Sequence, residues 1–322
     1  MEMRNESMTY RVFVDGQEGT TGLEIRQRLA ERKDVEILTI DPDKRKNIGE
    51  RKKLLNEADI VFLCLPDAAA REAVQLIVNP RTRVIDPSTA HRIHPDWAYG
   101  LPELDVELRN RILESARVTN PGCHATGFAA IAYPLVKAGI LPRDYPLTCQ
   151  SITGYSGAGK KMIETYEGPD RDQSLVSPRG YALGLSHKHL PEMQYVSGLT
   201  YAPLFTPVIG DYYRGMAVYV PFLSRKLNKR INAREMQEFF SACYIHETFV
   251  SVAPFDEAGS GMNGFFDPQA LNHTNHLKIH IFGHHDQILA VSCLDNLGKG
   301  ASGAAIQNMN IMLGLPETTG LL

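Results

Sequence analysis

The sequence predicts an α/β protein of two domains: an N-terminal doubly wound parallel sheet, then an α+β domain, with the last helix returning to the first. Three observations predict it. Strand-like and helix-like segments alternate through the N-terminal third. A turn punctuated by Gly16, Gly19 and Gly22 joins the first strand to the first helix. After Leu147, strand-like runs alternate with loops rich in Gly, Pro and aromatics. A chain of 322 residues suits about two domains. The expected division is 1–122 plus 295–322 against 123–294.

The elements follow in order. "YRVFVD" (10–15) has the composition of a strand, and "LEIRQRLAERKD" sets Leu23, Ile25 and Leu29 among charges as a surface helix does. "VEILTID" (35–41) reads as the second strand and "KLLNEA" as a helix. "DIVFLCLP" (59–66) is continuously apolar, as buried parallel strands are. "AAAREAVQLIV" and "RVIDPS" (83–88) repeat the helix–strand alternation. Later, "LTCQSIT", "MAVYVPFL" and "LKIHIFG" suggest a mixed or antiparallel sheet. "NLGKGASGAAIQNMNIMLGL" suggests a small-residue helix able to pack closely.

Composition excludes several classes. With 34 basic and 37 acidic residues the net charge is -3, which argues against nucleic acid or an anionic membrane as partner. No apolar run approaches the ~20 residues that span a bilayer. The polar start "MEMRNESMTYR" lacks a signal segment, so a cytoplasmic location is expected. Five cysteines, an odd number without CxxC pairs, fit a reducing compartment.

The glycine turn is a GxxGxxG variant of the dinucleotide fingerprint. Glycines there admit a pyrophosphate to the backbone, and the helix start at Thr20, Thr21 and Gly22 offers amides to bind it. The alternative is a tight turn with no ligand. Asp41 ends the second strand, where an acid favours a free ribose 2′-OH. Lys44, Arg45 and Lys46 follow and could neutralise a 2′-phosphate, favouring NADP over NAD; the bland alternative is a solvated basic loop.

Cys123, in "NPGCHATG", precedes Phe128, Ile131, Ala132, Leu135 and Val136 at helical spacing. It therefore sits at a helix start, where dipole and free amides lower a thiol's pKa. Cys64, Cys149 and Cys293 lie in apolar runs, and Cys243 has no activating neighbour. A thiolate needs a proton-transfer partner. "LSHKHLPEM" offers His187 and His189, between which spacing does not choose. Metal binding is the rival, with pairs at His187/His189, His273/His276 and His284/His285, but no further ligand stands at zinc-like spacing, so no metal is expected. "GYSGAGKK" (154–161) fits a nucleotide-triphosphate loop except that Lys161 stands where Ser or Thr would hold Mg²⁺. It reads instead as a phosphate or cofactor contact, with Ser156 towards substrate and Gly157 towards cofactor. A plain glycine loop is the alternative.

These segments, with "FLCLPDAAAREAV", "IDPSTAHR", "YGLPEL", "HKHLPEM" and "NLGKGASGAAIQNMN", lie in order over nearly the full length. The chain resembles the N-acetyl-γ-glutamyl-phosphate reductases of the shorter sequence type, which are related to aspartate-semialdehyde dehydrogenases. The resemblance implies a Rossmann-type NADP-binding domain and NADPH as hydride donor, in arginine (ornithine) biosynthesis. It implies Cys123 as the nucleophile attacking an acyl phosphate, and His189 as acid/base with His187 beside the substrate. Ser88 and Arg92 would lie near nicotinamide and substrate, and Asn296 near the nicotinamide. Lys188 stands where the longer type has Arg, which removes a bidentate anion contact. Inorganic phosphate and the semialdehyde are the implied small-molecule partners, and a homo-oligomer (dimer or tetramer) built through the second domain is expected. An aspartyl-phosphate enzyme, a non-catalytic NADP sensor and a nucleotide triphosphatase are the other readings.

Overall fold

The computed structural model describes residues 9–16, 18–256 and 264–322. The N-terminal segment read as lacking a signal lies largely outside them. Six strands build the first sheet: β1 (Tyr10–Asp15), β2 (Val35–Leu38), β3 (Ile60–Leu63), β4 (Arg83–Asp86), β5 (Ala98–Tyr99) and β6 (Arg117–Thr119). All pair in parallel, in the order β2-β1-β3-β4-β6-β5. The period of two along each strand feeds two cores. Val12 and Val14 of β1 and Ile60 and Phe62 of β3 face α1 (Thr20–Ala30) and α4 (Val106–Glu114). Phe13, Val61 and Leu63 face α2 (Ile48–Glu57) and α3 (Asp67–Leu76). Each fully buried Phe, Ile or Leu contributes about 1.5–3 kcal/mol.

The second predicted strand stops at Leu38, short of Asp41. Pro42 opens a 3-10 turn there, and the Asp41 carboxylate accepts the Asp43 amide at 3.0 Å instead of prolonging the strand. The third stops at Leu63, because Pro66 caps α3. Two short strands, β5 and β6, and helix α4 carried no readable pattern.

The second sheet holds seven strands: β7 (Thr148–Gly154), β8 (Arg179–Gly180), β9 (Leu204–Gly210), β10 (Met216–Leu223), β11 (Val250–Val252), β12 (Leu277–Gly283) and β13 (Gln287–Leu294). Its order is β11-β12-β13-β10-β7-β9-β8, with β11–β12 and β7–β9 parallel and the rest antiparallel. One face packs on α5 (Cys123–Lys137) and α8 (Ala233–Tyr244) through Phe128, Ile131, Leu135, Met236 and Phe240. On the other face Thr148, Gln150, Leu204, Thr206 and Pro221 are exposed.

The chain then returns. A π turn, Gly298–Ser302, leads into α9 (Gly303–Met312), whose Ile306 and Met309 join the first core. The predicted single helix is thus split. Lys299, wholly buried within the π turn, reaches Glu103 and the Gln307 side-chain oxygen at 2.6 Å each. Arg214, ahead of β10, pairs with Glu24 of α1 and with Asp295 after β13, bolting the two sheets' layers together.

Candidate active site

A cleft of about 680 Å³ lies over the C-terminal ends of the first sheet's strands, within the range of small-ligand sites. Gly19 to Gly22 follow β1, Cys64 follows β3, Pro87 and Ser88 follow β4, and Asn120 to Cys123 follow β6. Ligands of open α/β sheets bind at this edge. The facing wall comes from the second domain: Thr153 to Gly159 apart from Tyr155, then Tyr181 and His187 to His189.

The glycine turn fits a dinucleotide. Gly16 adopts φ +87, and a Cβ there would lie 2.1 Å from the Cys64 carbonyl oxygen, so only glycine passes. Gly19 caps α1 without a side chain, leaving the first-turn amides at Thr20, Thr21 and Gly22 on the cleft. Arg45 stands outside the cleft lining and pairs with Glu18 at 2.6 Å. Asp41 caps its own turn through Oδ1, and its carboxylate is exposed. Cys64, from the apolar run of β3, borders the cleft, and burial pushes its thiol up.

Cys123 opens α5 directly after the Asn120-Pro121-Gly122 turn. Gly122 is a steric necessity, since a Cβ there would fall 2.4 Å from both Arg92 Nη1 and His189 Nε2. From the other side Gly300 of the π turn closes on the thiol residue: its Cβ would lie 2.8 Å from that of Cys123. The sulfur, a ring nitrogen of His189 and one of His124 lie within 4.8 Å of one another. His189 caps α7 (Leu190–Ser197), and its backbone amide donates to His187 Nδ1 at 3.1 Å. Its own Nδ1 is buried and, among the described residues, has no hydrogen-bond partner.

The expected acidic thiol is not what the surroundings produce. Burial pushes Cys123 up, and the His124 backbone amide, Arg92 and Lys188 only partly oppose it. At rest the thiol keeps its proton. Burial, and then Arg92 and the neighbouring histidines, hold His189 well below the usual histidine range. Burial and Lys188 likewise lower His187 to about 4. The cysteine–histidine pair is therefore neutral, SH beside imidazole.

A metal fits this trio poorly. His124 Nδ1 lies 2.8 Å from Ser151 Oγ and Nε2 lies 2.9 Å from Tyr181 Oη, so neither nitrogen is free to ligate. Arg92 donates to Glu192 at 2.8 Å and to the Pro87 carbonyl at 2.7 Å. Lys188 also lines the cleft and, among the described residues, has no ion-pair partner. Ser88 lines it too, fixed by Asp86 through both its amide (2.8 Å) and its hydroxyl (2.9 Å). Asn296 donates to Ser156 Oγ at 3.0 Å and accepts the Gly215 amide at 2.8 Å, and Gly157 packs beside it. Lys160 of the triphosphate-like loop points to solvent with Glu164 at 3.9 Å, away from any phosphate cradle.

Sequence reasoning missed three residues here. Glu192 is buried, and one carboxylate binds Arg92, the Tyr99 hydroxyl (2.9 Å) and the Gly122 amide (2.9 Å). It stands one helical turn beyond His189, a spacing that was available. His124 carried only its adjacency to Cys123. Tyr181, from a loop 58 residues away, carried no signal at all.

Comparison with known proteins agrees with this architecture. Residues 11–111 match the family described as semialdehyde dehydrogenase, NAD binding domain, and residues 123–296 the one described as semialdehyde dehydrogenase, dimerisation domain. N-acetyl-gamma-glutamyl-phosphate reductase 2 of Pseudomonas putida is 46% identical over 311 residues, covering 96% of this chain and 98% of its own. The protein of that name from Nostoc is 45% identical over 318 residues, covering 97% and 99%. Aspartate semialdehyde dehydrogenase II of Vibrio cholerae, solved as a complex with ASA, superposes with a TM-score of 0.71 at 16% identity over 96% of this chain and 99% of its own. The Francisella tularensis enzyme gives 0.69 at 15%, over 95% and 100%. At such identities the solved structures speak to fold alone. Matched along nearly its whole length at these levels, the chain belongs to the semialdehyde dehydrogenase family, among the N-acetyl-gamma-glutamyl-phosphate reductases.

Proposed function

We propose that the protein reduces N-acetyl-L-glutamyl 5-phosphate to N-acetyl-L-glutamate 5-semialdehyde through a Cys123 thioester, in arginine biosynthesis. The observation that carries this is the meeting of Cys123 and His189 in one cleft that continues to the glycine turn. NADP(H) would be held by Gly19 to Gly22, Ser88, Gly157 and Asn296, with Arg45 turning from Glu18 to a 2′-phosphate, and would supply the hydride.

The remaining chemistry belongs to this chain. Lys188, with no ion-pair partner among the described residues, and Arg92 receive the acyl phosphate, with Ser156 and His187 alongside. The dianion offsets Arg92 and Lys188, which add to burial in depressing His189, so the imidazole gains basicity as substrate arrives. His189 takes the thiol proton as Cys123 Sγ bonds to the acyl carbon. The carbon–oxygen bond to phosphate breaks, and that proton leaves with the phosphate. After reduction the tetrahedral carbon carries an oxyanion, which His189, reloaded with a proton from solvent, protonates. Cleavage of the carbon–sulfur bond then releases the aldehyde, and the hydroxyl proton returns through His189 to the Cys123 sulfur. The amides at the start of α5, which begins at Cys123 itself, are the groups placed to stabilise that oxyanion.

The open face of the second sheet, with Leu204 and Thr206 exposed, is where a second copy would build a homo-oligomer. Among the described residues no helix is long and apolar enough to cross a membrane, and the cytoplasm is the compartment proposed.

The test is phosphate-dependent reduction of NADP⁺ by N-acetylglutamate semialdehyde, followed by nicotinamide absorbance. Turnover that vanishes without phosphate is expected, with aspartate semialdehyde at least about 100-fold poorer. Equal rates on both aldehydes point to the aspartyl enzyme, and silence on both to a sensor.

A further inference from the structure

We infer that a hydrogen-bonded relay, Ser151–His124–Tyr181, fixes the Tyr181 phenol as a hydrogen-bond donor into the substrate end of the cleft, where it meets an acceptor oxygen of the acyl substrate. The inference rests on the function proposed above for the identity of that substrate.

The polarity of the relay follows from its buried end. Ser151, on β7, is fully buried, and its Oγ lies 2.8 Å from His124 Nδ1. Among the described residues the hydroxyl has no other hydrogen-bond partner. A buried O–H must donate or forfeit a bond, and only Nδ1 is offered to it. Nδ1 is then the acceptor, which places the imidazole proton on Nε2. Nε2–H lies 2.9 Å from Tyr181 Oη and donates to it. The phenol oxygen is thereby supplied with a hydrogen bond, and its own hydrogen is unspent.

That hydrogen has one useful direction. Tyr181 lines the cleft with His187 and Lys188, on the wall that the second domain supplies. Its backbone amide is pinned to the Pro207 carbonyl at 3.1 Å, which fixes the main chain from which the ring extends. The His124 ring is fixed as well, with Phe205, His189 and His187 at centroid distances of 5.2, 5.4 and 5.6 Å. Burial, then His187 and Lys188, keep it neutral, with a pKa of about 3. An imidazolium would donate from both nitrogens and leave the Ser151 hydrogen without an acceptor. His124 and Ser151 are thus positioning residues, and Tyr181 is the group that touches substrate.

The experiment uses the full enzyme with NADP⁺ and phosphate, each variant first shown to bind NADP⁺ as wild type does. Tyr181→Phe is expected to raise KM for the semialdehyde about tenfold, the loss of one hydrogen bond, with KM for NADP⁺ unchanged. His124→Asn reaches Ser151 but not Tyr181 and should reproduce that rise. His124→Gln, whose amide nitrogen stands near the position of Nε2, should restore most of it. The double variant Tyr181→Phe/His124→Asn should be no worse than Tyr181→Phe alone. An unchanged KM in Tyr181→Phe, or additive losses in the double variant, overturns the relay. A second measurement needs no turnover: ¹⁵N NMR of histidine-labelled enzyme, with His124 assigned by its loss in His124→Gln. A proton on Nε2 supports the relay, and a proton on Nδ1 overturns it even in a fully active enzyme. Inactive wild type with the proton on Nε2 would overturn the acyl-phosphate reading while leaving the relay supported.

Discussion

Cys123 holds its proton in the resting cleft, because burial outweighs the helix-start amide and the two nearby cations. Nucleophilicity must then come from proton removal during attack, which ties the sulfur's chemistry to His189. Cys123→Ser replaces the thiol with a still less acidic group and should cut phosphate-dependent turnover by at least about 10³-fold. NADP⁺ affinity should stay within about twofold, because the glycine turn is untouched. Pre-steady-state phosphate release would check the covalent route: wild type shows a burst on the acyl phosphate and the serine variant none. A serine variant at near-wild-type rate would remove the thioester from the mechanism.

At the scale of elements, the site is where a helix start, a strand end and a helix cap are forced close. β6 delivers the Asn120-Pro121-Gly122 turn to the cleft, α5 begins at the nucleophile, and α7 begins beside His189. Glu192 of α7 then holds the Gly122 amide and Arg92 together. This closeness depends on a missing Cβ at Gly122, whose φ of −76 is ordinary. Conformational freedom is not what glycine provides here; room is. Gly122→Ala should displace His189 and Arg92 by up to an ångström and lower kcat about 100-fold. The overpacking should cost about 1–3 kcal/mol of stability. Steady-state kinetics beside denaturant unfolding checks both, and an alanine variant with wild-type kcat would show that the spacing is not needed.

For the whole molecule, the cluster of depressed histidines makes stability depend on pH. His124, His187 and His189 are all neutral in the native cleft and fall below their usual value of 6.5. As pH falls below about 6.5 the unfolded chain takes up protons that the native one refuses. Stability is therefore fully present above about 6.5 and is lost as pH drops towards about 4. The slope is roughly 1.4 kcal/mol per pH unit for each site that is charged only in the unfolded chain. Urea unfolding at pH 7 and at pH 5 should show the loss, and a shallower dependence is expected in His124→Gln. Equal stability at both values would mean that the cluster is charged in the folded protein.

The sequence by itself determined the alternation of strands and helices, the glycine turn and the poised position of Cys123. Each of these is local: a period of two or of 3.6, a turn lacking side chains, a residue at a helix start. It also made the family legible, through ordered segments along nearly the full chain. It did not reveal β5 or β6, whose two and three residues are too short to show a period. Only the tertiary structure decided which groups surround the sulfur. Tyr181, Ser151 and Gly300 arrive from three separate elements, and nothing in their own neighbourhoods foretells the meeting. The thiol's ionisation was decided there too. A helix start favours the anion, but water exclusion by both domains opposes it, and the balance depends on distances that a linear chain does not contain.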